Sequence, residues 1–473
     1  MTDRLLPRAA ALAAAAVVAA AGLAMPAQVG AAGSLDLRAT YDAAAVIDYA
    51  GGRMSVDSTA SVSNPGSAAV HRLVFNLVPL RIGDAVVEAV TVNGLAATHD
   101  ADDQSLTVVL PTALVAGGQA QVRVRYSADL SPSPADGHGY FRKVDGIIVA
   151  ARWIPWLSRP VEFDRPTIGN PFVTASAAQV DVTLTSERSL VYATSGQRVG
   201  VSADGLTQTF VAHNVRDFNF AAAPDYQQAS TQVGGKTITL YYRDLPAERV
   251  LELAERAFAY YADMVGDYSW PALTIGESVT PKALESPALV WIPASTRGAR
   301  VTYLVSHEIA HEWFYGAVGS DQAAEPFADE ALAEFLTRTV TGTMRASRCP
   351  DDTLDRSIYE YTDACYFETV YVQGALYLDA YRRDVGDAAF WRGVRDYYAA
   401  FRFGMGGTRQ LLDALDAASG RDGARHAARF PRLYPDDPTP SGGPTPTVGP
   451  SPNPESLTFG AVARLWWFGV IVE

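Results

Sequence analysis

The segment that decides the fold is VTYLVSHEIAHEWF, residues 301–314, and its centre reads His-Glu-Ile-Ala-His. In a helix, residues four apart lie on one face, so His307 and His311 can direct both imidazoles toward one point. Apolar residues flank the motif and Gly316 follows it, a pattern that favours a helix ending near that glycine. Two imidazoles on one helical face, with Glu308 beside them, are typical of a metal site.

A catalytic zinc ion requires a third protein ligand and one open coordination position. Glu330 is the candidate, because it follows His311 after 18 residues and lies in a second helical pattern, EPFADEALAEF, residues 325–335. Two antiparallel helices joined by a turn would bring it to the two histidines. We therefore predict one Zn²⁺ held by His307, His311 and Glu330, with Glu308 as the general base.

Glu334 lies one helical turn after Glu330, and two interpretations of it stay open. It could bond a ligand histidine from outside, as metal-bound histidines usually require. It could equally be a surface charge.

Upstream of this motif the hydrophobic pattern has a period of two, from about residue 34 to residue 243. The stretch VRVRY at 122–126 alternates apolar and basic residues, and dipeptides such as Asn93-Gly94 indicate turns. Many short strands at this spacing are typical of an antiparallel β-sandwich. From Pro246 to about residue 430 the period becomes helical, apart from one extended stretch at 272–293. The expected fold class is therefore α+β, with more than one domain.

Composition excludes several classes of protein. The 473-residue chain has 38 Lys and Arg against 52 Asp and Glu, a net charge of −14, which argues against a nucleic-acid partner. Apolar residues make up 48% of the chain, enough for large cores. Its two cysteines exclude a disulfide-rich scaffold and a Cys-based zinc ribbon.

Both ends of the sequence carry signals for location. Residues 1–32 have the basic start, apolar run and small residues of a secretory signal peptide, with an uncleaved anchor as the alternative. Residues 433–455 form a Pro-rich linker, and residues 456–473 form an apolar tail. We interpret the tail as a docking or interfacial segment, with a membrane or cell-surface attachment as the alternative.

Export would place the protein in a secreted or cell-surface location. That environment permits a disulfide bond, and Cys349 and Cys365 are the one available pair, 16 positions apart. We expect them to be bonded, with two buried free thiols as the alternative.

The motif also carries a family resemblance. HEIAHEWF followed by 18 residues and Asp329-Glu330 resembles the aminopeptidase N family of zinc metallopeptidases, the gluzincins. The resemblance runs from about residue 40 to residue 420 and includes DVTLTSERSLVYATSG at 181–196. It implies an N-terminal β-sandwich-type domain at 33–235, packed on a thermolysin-like, mainly helical zinc catalytic domain at 236–432. The chain resembles a short, secreted bacterial form that lacks the large C-terminal helical domain, which implies a more open cleft.

The family places an exopeptidase motif, Gly-x-Met-Glu-Asn, upstream of the histidines, and KALES at 282–286 occupies that place. The resemblance implies that Glu285 binds the free α-ammonium of the substrate, although three of the motif's other positions differ. The alternative is a solvated carboxylate at a strand edge. Long family members add a second acidic or amide residue, but Gly146 occupies the matching position with Asp145 beside it. We therefore expect the amine site to rest on Glu285 alone.

Tyr371 begins Tyr-Val-Gln-Gly-Ala, which resembles the family's Tyr-x-x-Gly-Ala. The resemblance implies that its hydroxyl donates to the oxyanion formed during hydrolysis. Tyr359, Tyr361 and Tyr366 are nearby rivals for that role.

Together these features predict a zinc-dependent aminopeptidase that hydrolyses N-terminal residues from peptides with a free N-terminus. The alternatives are a metal-dependent endopeptidase or an epoxide hydrolase on the same site, or an exported binding protein with a vestigial metal site. The other histidines show no ligand spacing and are expected to be structural or surface residues: His71, His99, His138, His213 and His426.

Overall fold

The computed structural model describes residues 37–130, 139–158, 174–362 and 365–435. The predicted signal peptide, the apolar tail and all but the first three residues of the predicted linker lie outside the described residues. No helix in the described part of the chain combines the length and the apolar character that a membrane span requires.

The N-terminal half is built from strands. They are β1 Arg38–Asp48, β2 Arg53–Ser63, β3 Val70–Asn76, β4 Val86–Val92, β5 Leu95–Ala96, β6 His99–Asp102, β7 Ser105–Leu114, β8 Gln119–Asp129, β9 Phe141–Val144, β10 Ile147–Ala150, β11 Trp156–Leu157, β12 Ala177–Ser186, β13 Val191–Thr194, β14 Gln197–Val201, β15 Thr207–Val215 and β16 Phe220–Ala223. A one-turn helix, α1 Pro79–Ile82, interrupts them.

These strands form one large sheet and two smaller ones. The large sheet has the order β14-β15-β12-β1-β2-β8-β4-β5, and the others have the orders β13-β16-β10-β9 and β11-β3-β7-β6. Pairing is antiparallel except between β1 and β12. In strand β8, Val122, Val124 and Tyr126 are buried while Arg123 and Arg125 are exposed. The alternating sequence therefore directs its apolar side chains to the inner face of the sheet and its basic side chains to solvent.

The C-terminal half begins with a fourth sheet and continues as helices. Its strands are β17 Gln227–Val233, β18 Lys236–Tyr242, β19 Ala272–Ser278, β20 Leu284–Ser286 and β21 Leu289–Pro293, in the order β17-β18-β19-β21-β20. Its helices are α2 Ala247–Met264, α3 Ala299–Ala310, α4 Leu332–Thr341, α5 Gly374–Val385, α6 Asp387–Phe401 and α7 Thr408–Ser419. Short helical turns complete it at Phe327–Ala331, Ile358–Glu360, Phe367–Gln373 and Gly423–His426.

The predicted α+β fold class is therefore confirmed, with a β-rich N-terminal half and a mainly helical C-terminal half. The extended stretch predicted at 272–293 corresponds to β19, β20 and β21. The predicted domain boundary at 235/236 falls in the turn between β17 and β18, and it stays a prediction.

Aromatic packing fixes the position of α3. Trp313, just after the helix, meets Phe258 and Tyr261 of α2 with ring centroids 5.5 and 5.9 Å apart. All three rings belong to one hydrophobic core that also includes residues of the β-rich half. Because this core is closely packed, it holds the histidine-bearing helix in one position.

Cys349 and Cys365 form the expected disulfide bond, with their Cα atoms 5.5 Å apart. The loop before Cys349 is also held by Arg345, whose guanidinium makes two hydrogen bonds of 2.8 and 2.6 Å to Glu368. Thr369 adds a bond of 3.3 Å to the Cys349 carbonyl. These contacts attach the loop to the helical segment that carries Tyr371.

Replacing both cysteines by serine is expected to lower the free energy of unfolding by about 3 kcal/mol, because a loop of this length gains entropy in the unfolded chain. Denaturant unfolding followed by circular dichroism measures the change. A reductant should shift the midpoint of the native protein in the same direction and leave the double variant unaffected. An unchanged midpoint in the double variant would contradict the expectation.

Candidate metal centre

The histidine motif lies on a helix buried on nearly every side. In α3, His307 and Glu308 are each 5% exposed, and His311, directly after the helix, is 2% exposed. Val305 and Ile309 are fully buried around them. Polar groups buried at this depth need partners, so the contacts of these three side chains define what the site can hold.

Glu330 comes to the histidines from a π-helical turn, Phe327–Ala331, that leads into α4. Its Oε2 atom lies 3.4 Å from His307 Nε2 and 3.3 Å from His311 Nε2, and the two Nε2 atoms are 3.1 Å apart. A tetrahedral zinc ion with ligand bonds of 2.0–2.1 Å has ligand-to-ligand edges of about 3.3 Å. The three atoms therefore have the spacing of three corners of a zinc tetrahedron.

Two more carboxylates engage the far sides of the imidazoles. Asp329 Oδ1 lies 2.7 Å from His311 Nδ1, and Glu334 Oε2 lies 3.3 Å from His307 Nδ1. The short contact with Asp329 places the ring proton of His311 on Nδ1 and leaves its Nε2 lone pair facing Glu330. Three electron-pair donors then meet in a buried site, where they repel one another unless a cation lies between them.

The charges around the imidazoles favour a cation. Burial acts against a charged His307, yet Glu330 and Glu334 raise its pKa to about 9. Burial likewise opposes ionisation of Glu330, but His311 and His307 hold its pKa well below its usual range. The site thus stabilises both a positive charge at the imidazoles and an ionised third ligand. His307, His311 and Glu330 fit a metal ion by spacing, charge and chemistry.

The structure places Glu334 beside the ligand histidine His307 and not on the surface. Its side chain is fully buried and accepts hydrogen bonds of 2.6 Å from the Tyr303 hydroxyl and 2.6 Å from Arg338 Nε. The contact of Asp329 with His311 was not expected from the sequence. An acidic residue directly before the third ligand is the signal that could have indicated it.

Glu308 is buried beside the two ligand histidines. Burial raises its pKa to about 8, against the opposing charges of His307 and His311. Such a carboxyl group can accept or release a proton near neutral pH.

Tyr371 lies in the π-helical segment Phe367–Gln373 and stacks on His307, with ring centroids 5.6 Å apart and planes 22° apart. Burial and the charge of Glu330 raise its pKa, which keeps the hydroxyl protonated. The Tyr-x-x-Gly spacing has a steric reason. A Cβ atom at Gly374 would lie 2.6 Å from the Ala331 Cβ, so glycine allows this segment to approach the turn that carries Glu330.

The rival tyrosines differ in position. Tyr366 is buried and packs on Tyr371 with ring centroids 5.8 Å apart, while Tyr361 packs on Tyr366. The pKa of Tyr366 is raised by burial and by Glu330, so its hydroxyl also lies in the field of the metal site.

Glu285 lies on β20, the edge strand of its sheet, and its side chain is half-buried. Burial raises its pKa, His311 opposes that shift, and Asp329 and Glu330 add to it. The carboxylate therefore lies in the field of the metal cluster, unlike a fully solvated residue at a strand edge.

Gly146 and Asp145 lie where long family members carry a second amine-binding residue, and the backbone carbonyls of both make hydrogen bonds to other residues. The Gly146 carbonyl accepts a bond of 2.8 Å from the Tyr49 hydroxyl, and the Asp145 carbonyl accepts one of 2.6 Å from Arg243.

A buried polar network beside Glu285 was not expected from the sequence. Arg152 donates a 3.0 Å hydrogen bond to the Tyr315 hydroxyl, which donates to Asp217, and Ser286 donates to the same carboxylate. Tyr315 has φ 120° and Arg152 has φ 51°, both in a region that favours glycine. Strained backbone of this kind is often found at functional sites.

Known proteins with a similar sequence or fold are aminopeptidases or zinc metallopeptidases. No protein-family model matches the chain. It is 26% identical over 145 residues to aminopeptidase 2, mitochondrial, of Saccharomyces cerevisiae, and 29% identical over 154 residues to a membrane alanyl aminopeptidase of Manduca sexta. These matches cover 26% and 28% of this chain, but 15% and 16% of the two relatives.

Solved structures match over a much larger part. An M1 zinc metallopeptidase from Deinococcus radiodurans superposes with a TM-score of 0.62 at 20% identity, covering 81% of this chain and 91% of that one. A mutant of that enzyme with a bound Tyr-Ser-Ala substrate gives a TM-score of 0.61 at 20% identity, covering 81% and 92%. The chain has the fold of the two-domain M1 zinc metallopeptidases. The resemblance to the aminopeptidase N family agrees with both comparisons, since the similar structures are M1 zinc metallopeptidases and the similar curated proteins are aminopeptidases.

Asp329→Asn is expected to weaken zinc binding about 10- to 100-fold, because an amide orients His311 and raises its basicity less well than a carboxylate. Competition with a chelating dye measures the affinity. Asp416→Asn is the matched control, since Asp416 is also buried and lies 3.1 Å from His426 Nε2, outside this site. Equal zinc affinities for the two variants would contradict this role of Asp329.

Proposed function

We propose that the protein is a zinc-dependent aminopeptidase that uses one zinc ion to hydrolyse N-terminal residues from peptides. The observation that carries this proposal is the triangle of His307, His311 and Glu330, with sides of 3.1–3.4 Å, beside the buried Glu308. The M1 fold and the aminopeptidase relatives support it.

A zinc ion in this triangle would lower the pKa of a water molecule in its open position and polarise the substrate carbonyl. Glu308 accepts the proton of the attacking water and delivers it to the leaving amine. A pKa of about 8, set mainly by burial, is suited to both transfers. The positive charge of a bound metal would favour the ionised form, which is the form that accepts.

Tyr371 supplies a hydrogen-bond donor for the oxyanion. Its raised pKa keeps the phenol protonated, and its stacking on His307 fixes the ring next to the ligand cluster. A donor that is already in place stabilises developing charge without reorganisation.

Glu285 distinguishes an aminopeptidase from an endopeptidase on the same metal. A half-buried carboxylate at the edge of β20 would attract an α-ammonium group close to the metal, and an internal peptide segment carries no such charge. An epoxide hydrolase also has no need for an ammonium-binding carboxylate. A vestigial site would have no chemical need for a buried, protonatable Glu308.

We also propose a secreted or cell-surface location. The sequence pattern of residues 1–32 and the Cys349–Cys365 bond support it, because disulfides persist outside the reducing cytosol. Attachment to a membrane or cell surface through residues 456–473 belongs to the same proposal.

Hydrolysis of amino-acyl fluorogenic substrates tests the function. The zinc-loaded protein should release the fluorophore from free-amine substrates, lose this activity with a chelator and regain it with zinc. N-acetylated versions of the same substrates should be cleaved at least tenfold more slowly. Equal cleavage of both would indicate an endopeptidase, and no chelator-sensitive hydrolysis of either would contradict the proposal.

Glu308→Gln should retain zinc and lose turnover by a factor of at least 10³, because the amide cannot accept the proton of the attacking water. Metal content and kcat of the same preparation measure the two effects. Glu325→Gln, outside the metal site, should keep both. Retained turnover in Glu308→Gln would remove Glu308 from the mechanism.

Tyr371→Phe should lower kcat about 10²- to 10³-fold with little change in KM, because its hydrogen bond strengthens only in the transition state. Tyr192→Phe removes another buried hydroxyl, in the β-rich half, and should leave kcat unchanged. If Tyr371→Phe changes KM alone, the oxyanion donor is another group, for which Tyr366→Phe is the next variant.

A further inference from the structure

One buried amide lies between the proposed amine site and the metal centre. Gln322 is 6% exposed and belongs to the loop between α3 and the turn that carries Glu330. Its Nε2 atom lies 3.4 Å from Glu285 Oε1 and also donates to Asp329 Oδ2. One side chain therefore contacts a carboxylate of the substrate site and a carboxylate that holds a metal ligand.

The chemistry of the amide suits this position. A glutamine NH₂ group has two hydrogens, so one nitrogen can donate to two acceptors at once. Glu285 and Asp329 are both acidic and lie in each other's field, so they repel when ionised. A shared donor offsets this repulsion and fixes the direction of both carboxylates.

The connection continues to the metal ligand. The other oxygen of Asp329, Oδ1, lies 2.7 Å from His311 Nδ1. The contacts thus run from Glu285 through Gln322 and Asp329 to His311, and they join the edge strand β20 to the metal-binding helix.

The loop that carries Gln322 is held in place by its backbone. Gly319 accepts a 2.8 Å hydrogen bond from the Gly406 amide and donates one of 3.1 Å to the Gly404 carbonyl. The Ala323 carbonyl accepts a 2.9 Å bond from Ile358. A side chain on such a loop has a fixed origin, which a positioning residue requires.

We propose that Gln322 is a positioning residue that sets the selectivity for a free N-terminus, by holding Glu285 at a fixed place relative to the zinc site through a hydrogen bond shared with Asp329. This inference rests on the proposed function, and it adds a residue that acts through Glu285 without touching the substrate. Correct placement matters because a metal-bound carbonyl and an α-ammonium group are separated by a fixed, short distance in an N-terminal residue.

A double-mutant cycle tests the inference in the full-length, zinc-saturated protein, so that any change in metal affinity does not enter. The variants are Gln322→Met, which keeps the side-chain length and removes the donor, Glu285→Ala, and the combination of the two. Gln322→Met should raise KM for an amino-acyl fluorogenic substrate about tenfold in the native background, with a smaller change in kcat. In the Glu285→Ala background the same substitution should change KM less than twofold, because its target is gone.

Two further variants separate positioning from general loss of structure. Gln208→Met is the matched control, since Gln208 is also buried and donates a 2.8 Å hydrogen bond to the Leu190 carbonyl in the β-rich half, and KM should not change. Gln322→Glu keeps the shape but cannot donate to two carboxylates, so it should raise KM as Gln322→Met does.

The inference is overturned if Gln322→Met raises KM by the same factor in both backgrounds, or if Gln322→Glu behaves as the native protein. These results are distinct from failure of the proposed function. In that case the native, zinc-loaded protein itself would not prefer free-amine substrates over their N-acetylated forms.

Discussion

The structure depends on one electrostatic constraint: two imidazole nitrogens and a carboxylate oxygen point at each other from 3.1 to 3.4 Å inside a buried site. Their lone pairs are stable there only around a positive charge. Two buried carboxylates, Asp329 and Glu334, contact the Nδ1 atoms of the two rings, and their negative charge makes a positive charge at the site more favourable. The fold brings five ionisable side chains together at this point, and a divalent cation bound there would offset the repulsion among them.

The surrounding architecture holds these atoms in place. The packing of Trp313 on α2 fixes the helix that bears the histidines, and Gly374 allows the segment with Tyr371 to come within contact distance of Ala331. The disulfide bond and the Arg345–Glu368 pair fasten the loop next to that segment. The edge strand β20 presents Glu285. In the proposed function, substrate binding, proton transfer and oxyanion stabilisation belong to three different elements around one centre.

The sequence predicts local features well because helical and strand periods are local. The spacing of His307 and His311 follows from one helical turn, and the alternating pattern of 122–126 corresponds to β8. Glu330 could be proposed because it follows the histidines at a short interval and family members share that interval. Glu334 stayed ambiguous, since only the packing of α3 against α4 decides whether its carboxylate meets His307 or solvent.

Contacts between distant segments could not be predicted. The network of Arg152, Tyr315 and Asp217 joins residues up to 163 positions apart, and the left-handed backbone at Tyr315 has no signature in its residue type. Gln322 lies in a loop whose course is set by hydrogen bonds to residues near 358 and 404. Sequence periodicity carries no information on such loop contacts, although they determine how the site is held.

Zinc-edge X-ray absorption of the purified, full-length protein tests the central claim most directly. The account predicts a single zinc environment with two nitrogen ligands and one or two oxygen ligands at about 2.0–2.1 Å, which disappears in His307→Ala. Absence of zinc from protein prepared without chelator, or a zinc environment that His307→Ala leaves unchanged, would contradict it.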